Sequence, residues 1–222
     1  MKNKGFTLAE VLITLGIIGV IAALTLPGLM TNAARAKIGP ELASAVSTLS
    51  EGARMFMDAN NADYLSLAMT KAGLTDTKVN TLLTEITNSG SPFYFIKAKS
   101  GAVSFGDSKT YAGADGGLTA AGTEYQLANK AVIAAETADC ALSAEDSECG
   151  IIFYTSSAYA TKSDKLRTGV HVFKLFINNR GEVYGDKNWS TTCDDAGMAA
   201  ATSTGAGCSG RIEAKGWKVD YK

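Results

Sequence analysis

The chain has 222 residues, 21 Lys and Arg against 22 Asp and Glu, a formal net charge of −1 and 46% hydrophobic residues. That length leaves room for one soluble unit beside a membrane helix. A balance so near neutrality gives no general polyanion-binding surface, and it disfavours DNA as a partner unless a basic patch forms in space.

The first element is an apolar run of about 21 residues from Phe6 to Leu26, long enough as a helix to cross a bilayer core. It carries one carboxylate, Glu10. An ionised side chain within such a segment costs about 2.5–3.5 kcal/mol on insertion scales unless a partner offsets it. A general secretory signal has a shorter apolar core and a small-x-small cleavage site, whereas this run continues through Val20-Ile21-Ala22-Ala23-Leu24. A plain anchor has no use for Glu10 or for a Gly-Phe junction directly after Lys4.

Those residues resemble the class III signal of type IV pilins and of the pseudopilins of type II secretion systems. The matching features are a short basic leader (Lys2, Lys4), Gly5 as its last residue, Phe6 as the new N-terminus, Thr7-Leu8, Glu10 as the fifth mature residue, and Pro27. The resemblance implies that a membrane-embedded prepilin peptidase cuts between Gly5 and Phe6 and methylates the amino group of Phe6. Losing Lys2 and Lys4 would take the net charge to about −3. It also implies that Glu10 pairs with the amine of Phe6, on a neighbouring subunit or within its own chain, and so selects filament register. Breaking such a pair in an apolar core leaves one partner buried and uncompensated. Gly16, Gly19, Ala22 and Ala23 supply small side chains at a spacing that lets helices approach closely.

After Pro27-Gly28 the pattern becomes one-sided. Ile38, Leu42, Ala45, Leu49, Ala53 and Phe56 recur at three- and four-residue steps, which predicts an amphipathic continuation of the same helix to about Ala59. Pro27 and Pro40 each remove a backbone donor and crowd the preceding turn, predicting a kink near both. Asn60-Asn61 is a stop signal. Two short helices are expected next, one led by Asp63 and ending at Gly73, the other led by Asp76 with Val79, Leu82, Leu83 and Ile86 on one face. Strand signals follow at Phe93–Ile96, Tyr125–Leu127, Ala131–Ile133, Ile151–Tyr154 and Val170–Ile177, the last turning through Asn178-Asn179-Arg180-Gly181 into Glu182-Val183-Tyr184. The stretch Phe176–Gly181 with Gly185-Asp186 is similar to a loosened Asp-Val-Asn-Gly hairpin of pilin-like globular parts. Ala196–Gly210 is low in complexity and rich in Ala, Gly, Ser and Thr.

The cysteines are Cys140, Cys149, Cys193 and Cys208. With the basic leader on the cytoplasmic side, the globular part lies on the exported side, where disulfides persist. Three pairings are open, and the local ones, Cys140 with Cys149 and Cys193 with Cys208, are favoured because each staples a Gly/Ser/Asp-rich loop. Zinc is disfavoured, since no Cys-x-x-Cys occurs and His171 is remote from every cysteine in sequence. Catalysis finds no support: His171 lies in an alternating apolar run, Gly113–Gly117 reads as a turn, and no nucleophile elbow or phosphate loop is present. No cofactor is required. Calcium at Asp186, Asp194 and Asp195 is a possibility that the resemblance to major pseudopilins raises.

The expected fold is α+β and pilin-like: a long kinked N-terminal helix, membrane-spanning in its first half, packed on an antiparallel β-sheet with a disulfide-bonded C-terminal region. The divisions are 1–5 leader, 6–27 transmembrane or filament-core helix, 28–59 amphipathic helix and 60–222 globular domain. The resemblance implies a structural, non-enzymatic subunit of a type IV pilus-like filament. Its partners would be prepilin peptidase, copies of itself or related pilins, an assembly platform with its ATPase, and membrane lipid before assembly. Its place would be the inner membrane as a single-pass protein, then an extracellular or periplasmic filament. The alternatives are a type II secretion pseudopilin and a minor pilin serving as adhesin or DNA receptor.

Overall fold

The computed structural model describes residues 7–101, 105, 107–161, 165–194 and 205–221. It divides into two compact units between Lys37 and Ile38, crossed by the first helix, α1 (Leu8–Ala59).

The first unit is the N-terminal part of α1. Its apolar window, Leu8–Leu26, exposes its side chains nearly throughout, Leu24 at 78%. The two threonines within the helical window satisfy themselves: Thr14 Oγ1 donates to the Val11 carbonyl at 3.0 Å and Thr25 Oγ1 to that of Ile21 at 2.9 Å. An apolar surrounding demands that of any hydroxyl it encloses.

The second unit begins with the remainder of α1. Ile38, Leu42, Ala45, Leu49, Ala53 and Phe56 form its buried face, the same six residues that the periodicity selects. The helix stops where Asn60 Nδ2 donates back to the Phe56 carbonyl at 2.9 Å and Asn61 turns left-handed at φ 49°, a conformation asparagine tolerates. Next come α2 (Leu65–Lys71) and α3 (Val79–Thr87). Asp76 prepares the start of α3 by accepting from the Lys78 amide at 3.2 Å and from Thr81 Oγ1 at 2.6 Å.

Six strands then form one antiparallel sheet in chain order: β1 (Ala98–Ser100), β2 (Tyr125–Leu127), β3 (Val132–Ala135), β4 (Glu148–Tyr154), β5 (Val172–Asn178) and β6 (Val183–Tyr184). The β4–β5 ladder is the longest, from Glu148 opposite Asn178 to Tyr154 opposite Val172. Alternation sends Ile151, Phe153, Phe173 and Leu175 into one cluster with the buried faces of α1 and α3. Ile152, Tyr154 and Val172 go to the opposite face, under Ala158, Leu166 and half-buried Phe105 and Leu118. At the β5–β6 turn Gly181 has φ +77°, and a Cβ there would stand 2.8 Å from Met57 Cε. The left-handed backbone conformation is what favours glycine, since the Met57 methyl at the end of a flexible side chain could move aside.

Two strand expectations are corrected. Phe93–Ile96 is not a strand: the amides of Phe95 and Ile96 both donate to the Ile86 carbonyl, at 3.0 and 2.8 Å, so the segment folds over the end of α3. The fold-over buries Ile96 and half-buries Phe93 and Phe95, with Phe93 edge-on to Phe56 at 5.0 Å, while Tyr94 stays exposed. The strand begins two residues later. Val170 and His171 belong to the turn before β5, because Gly169 at φ +78° reverses the chain there. Half-buried His171 accepts from the Arg167 amide at Nδ1, 3.3 Å, and burial together with the Arg167 charge holds its pKa below the ordinary value.

Beyond the sheet lie α4 (Trp189–Thr192) and α5 (Cys208–Ala214), so the end of the low-complexity stretch is helical. Arg211 on α5 is buried, with Nε donating to Asp220 Oδ1 at 2.7 Å and Nη1 to the Cys193 carbonyl at 2.8 Å. The C-terminal segment thereby lies against α1 at Gly39, where a Cβ would stand 1.9 Å from the Trp217 carbonyl oxygen.

Candidate functional site

The residues that the sequence assigns to processing, Gly5 and Phe6, lie outside the described residues, as does Asp195. Glu10 is described. One carboxylate oxygen, Oε2, accepts from the Thr7 amide at 2.8 Å and from Thr7 Oγ1 at 2.9 Å, while the Glu10 amide donates to Thr7 Oγ1 at 3.3 Å. This is a reciprocal cap on the first turn of α1, satisfying donors that a helix start otherwise leaves orphaned. Sequence reasoning passed over Thr7 as the partner of Glu10, although the Thr-x-x-Glu spacing before an apolar run is the signature of such a box.

A Cβ on Gly16 or on Gly19 would meet nothing within 4 Å, so no contact among the described residues requires either to be small. The helix runs unbroken through Pro27 and Pro40, and Pro40 is exposed. Beside it, Gly39 is the residue whose lack of a side chain the C-terminal segment needs.

The four cysteines are joined as Cys140–Cys149, S–S 2.03 Å, and Cys193–Cys208, S–S 1.99 Å, closing sequence separations of 9 and 15 residues. Cys193 and Cys208 are fully buried, and Cys140 is half-buried. Asp186 Oδ1 accepts from the Asn188 amide at 2.8 Å in the turn after β6. Among the described residues no group of three or more His, Cys, Asp or Glu side chains is gathered to hold a metal ion.

An exposed apolar helix opens with a carboxylate, and a disulfide-bonded α+β unit follows. Residues 1–26 match the family model described as the prokaryotic N-terminal methylation motif. No curated protein and no solved structure matches the chain. The motif implies processing by prepilin peptidase and assembly into filaments, and the antiparallel six-stranded sheet with two C-terminal disulfides fits a pilin-like fold. The chain carries, at its N-terminus, the type IV pilin and pseudopilin signal.

Proposed function

We propose that this protein is a structural subunit of a type IV pilus-like filament. In this reading it is cut between Gly5 and Phe6, methylated on the new amine, held in the inner membrane by α1, and drawn by a platform and ATPase into a fibre cored by copies of that helix. The observation that carries the reading is the coincidence of the methylation motif at residues 1–26 with an apolar window, Leu8–Leu26, whose side chains the chain itself leaves uncovered. Moving such a helix from lipid into a helix bundle gains little from hydrophobicity, so packing at Gly16 and Gly19 and the charge of Glu10 decide the outcome.

Mass spectrometry of protein sheared from cells, beside a Glu10→Ala variant, tests this. Methylated Phe6 at the N-terminus of sheared fibres, absent from that fraction in the variant while cleavage persists, is the expected result. Processed protein confined to the membrane fraction would move the assignment to a pseudopilin or a minor subunit. An intact Met1 would overturn it.

A further inference from the structure

The two edges of the sheet carry opposite charges that find no ion-pair partner among the described residues. At the β1 edge Lys97 and Lys99 are exposed on one side of the strand while Ala98 packs inward, and exposed Lys130 sits in the neighbouring β2–β3 turn, where φ is +69°. None of the three lysines is in an ion pair among the described residues. By contrast Lys78, Lys109, Lys174 and Lys187 are, with Asp139, Asp115, Glu136 and Glu148.

At the β6 edge a cleft of about 360 Å³ lies between the turn after β6 and α5. Its floor exists because two glycines cross: a Cβ on Gly210 would stand 1.9 Å from the Asp186 carbonyl oxygen, and one on Gly185 would stand 2.5 Å from the Gly210 nitrogen. Two carboxylates line it, each held by one backbone amide, Asp186 by Asn188 at 2.8 Å and Glu213 by Gly185 at 2.6 Å. Neither is in an ion pair among the described residues. Lys187 does not neutralise them, because its Nζ lies over the Tyr184 ring at 4.2 Å and pairs with Glu148 at 2.9 Å. Trp189 supplies an aromatic wall, and an ammonium group gains from a ring face as well as from carboxylates.

We propose that the Lys97–Lys99–Lys130 edge of one copy docks on the Asp186–Glu213 cleft of the next, in a head-to-tail contact. Two different surfaces of one chain that complement each other make a heterologous interface, which propagates as a helix unless its rotation closes a ring. Half-buried carboxylates already fixed by backbone amides lose little freedom when a cation arrives, and the pairing orients neighbours more than it binds them. The inference rests on the filament reading and adds to it which surfaces of the globular units meet.

Zero-length carbodiimide cross-linking of sheared fibres, followed by peptide mass spectrometry, tests it. Five spacings of about 4.8 Å separate β1 from β6 by about 24 Å, too far for a link from Lys97 or Lys99 within one copy; Lys130, in the β2–β3 turn, is nearer, and fibres of mixed isotope-labelled copies tell whether its link joins two copies. The expected product joins a peptide containing Lys97, Lys99 or Lys130 to one containing Asp186 or Glu213. It should be lost in Asp186→Asn/Glu213→Gln, which keeps both amide acceptors. It should also be lost in Lys97→Arg/Lys99→Arg/Lys130→Arg, which keeps the charge and still assembles. Fibres cross-linked only through other residues would overturn the inference and leave the filament intact. So would fibres that lack this link and retain duplex DNA through the three lysines. The absence of fibres from every preparation would sink the filament reading and this contact with it.

Discussion

Thr7 and Glu10 cap each other at the first turn of α1, with the Glu10 carboxylate accepting two hydrogen bonds from Thr7 and the Glu10 backbone amide donating to the Thr7 hydroxyl. The carboxylate therefore does two separable things: it accepts hydrogen bonds within its own chain, and it carries a charge into an apolar segment. Glu10→Gln keeps an acceptor for Thr7 and discards the charge. If charge pairing selects register, this variant is cleaved normally yet lost from the sheared-fibre fraction, while Thr7→Val, which removes the hydroxyl but not the charge, still assembles at reduced yield. Quantifying processed protein in membrane and fibre fractions for both variants checks this; equal yields from Glu10→Gln and wild type would assign the residue to capping alone.

Asn179 ties the β5–β6 turn to the start of α2. Its carbonyl accepts from the Leu65 amide at 2.8 Å, its Oδ1 from the Ser66 amide at 2.9 Å, and its Nδ2 donates to Ser66 Oγ at 3.1 Å and to the Ala144 carbonyl at 3.0 Å. The residue is 2% exposed. Asn179→Ala leaves the half-buried Ser66 amide without its acceptor, while the Ala144 carbonyl keeps its donors from Ser147, and a loss of about 1–3 kcal/mol is expected. Denaturant titration of the full chain in detergent, followed by tryptophan emission, measures it.

Breaking Cys193–Cys208 releases a loop whose chain-entropy constraint is about 3 kcal/mol. Cys140, half-buried, is the accessible thiol of the other bridge, whereas Cys193 and Cys208 are enclosed. Graded reduction with alkylation should therefore label Cys140 and Cys149 first. Labelling of Cys193 or Cys208 at the lower reductant concentration would contradict the burial.

Glu124 accepts from the Phe105 amide at 3.1 Å, and burial nevertheless raises its pKa above the ordinary carboxylate value. A folded-state pKa above the unfolded one means that the native state holds the proton more tightly, so stability is lost as pH rises from the unfolded value through the folded one. Glu124→Gln keeps an acceptor for Phe105 and cannot ionise. It should be more stable than wild type at neutral pH, with the difference vanishing below the unfolded value of about 4.3. Thermal melts at pH 3.5 and pH 7 suffice; a difference that grows toward low pH would have the wrong sign.

The order of elements along the chain was legible in residues 6–59 because two patterns of different period sit side by side. An apolar run broken by one charge up to Leu26 means an apolar surrounding, and the three- and four-residue steps from Ile38 to Phe56 mean one buried face. The local pairings of the cysteines and the Asn60-Asn61 stop were equally readable, since each depends on neighbours in sequence. Tertiary structure decided the rest. Phe93–Ile96 has the composition of a strand, yet the amides of Phe95 and Ile96 are taken by the Ile86 carbonyl and the Phe93 ring packs on Phe56 of α1, contacts that no local pattern encodes. Gly39 reads as an unfavourable residue inside a helix, and only the passage of Trp217 across it shows why a side chain has no room. The opposed charges at the two sheet edges come from residues more than fifty positions apart. Charge composition, which sums over the whole chain to −1, cancels them, and only the strand order separates them in space.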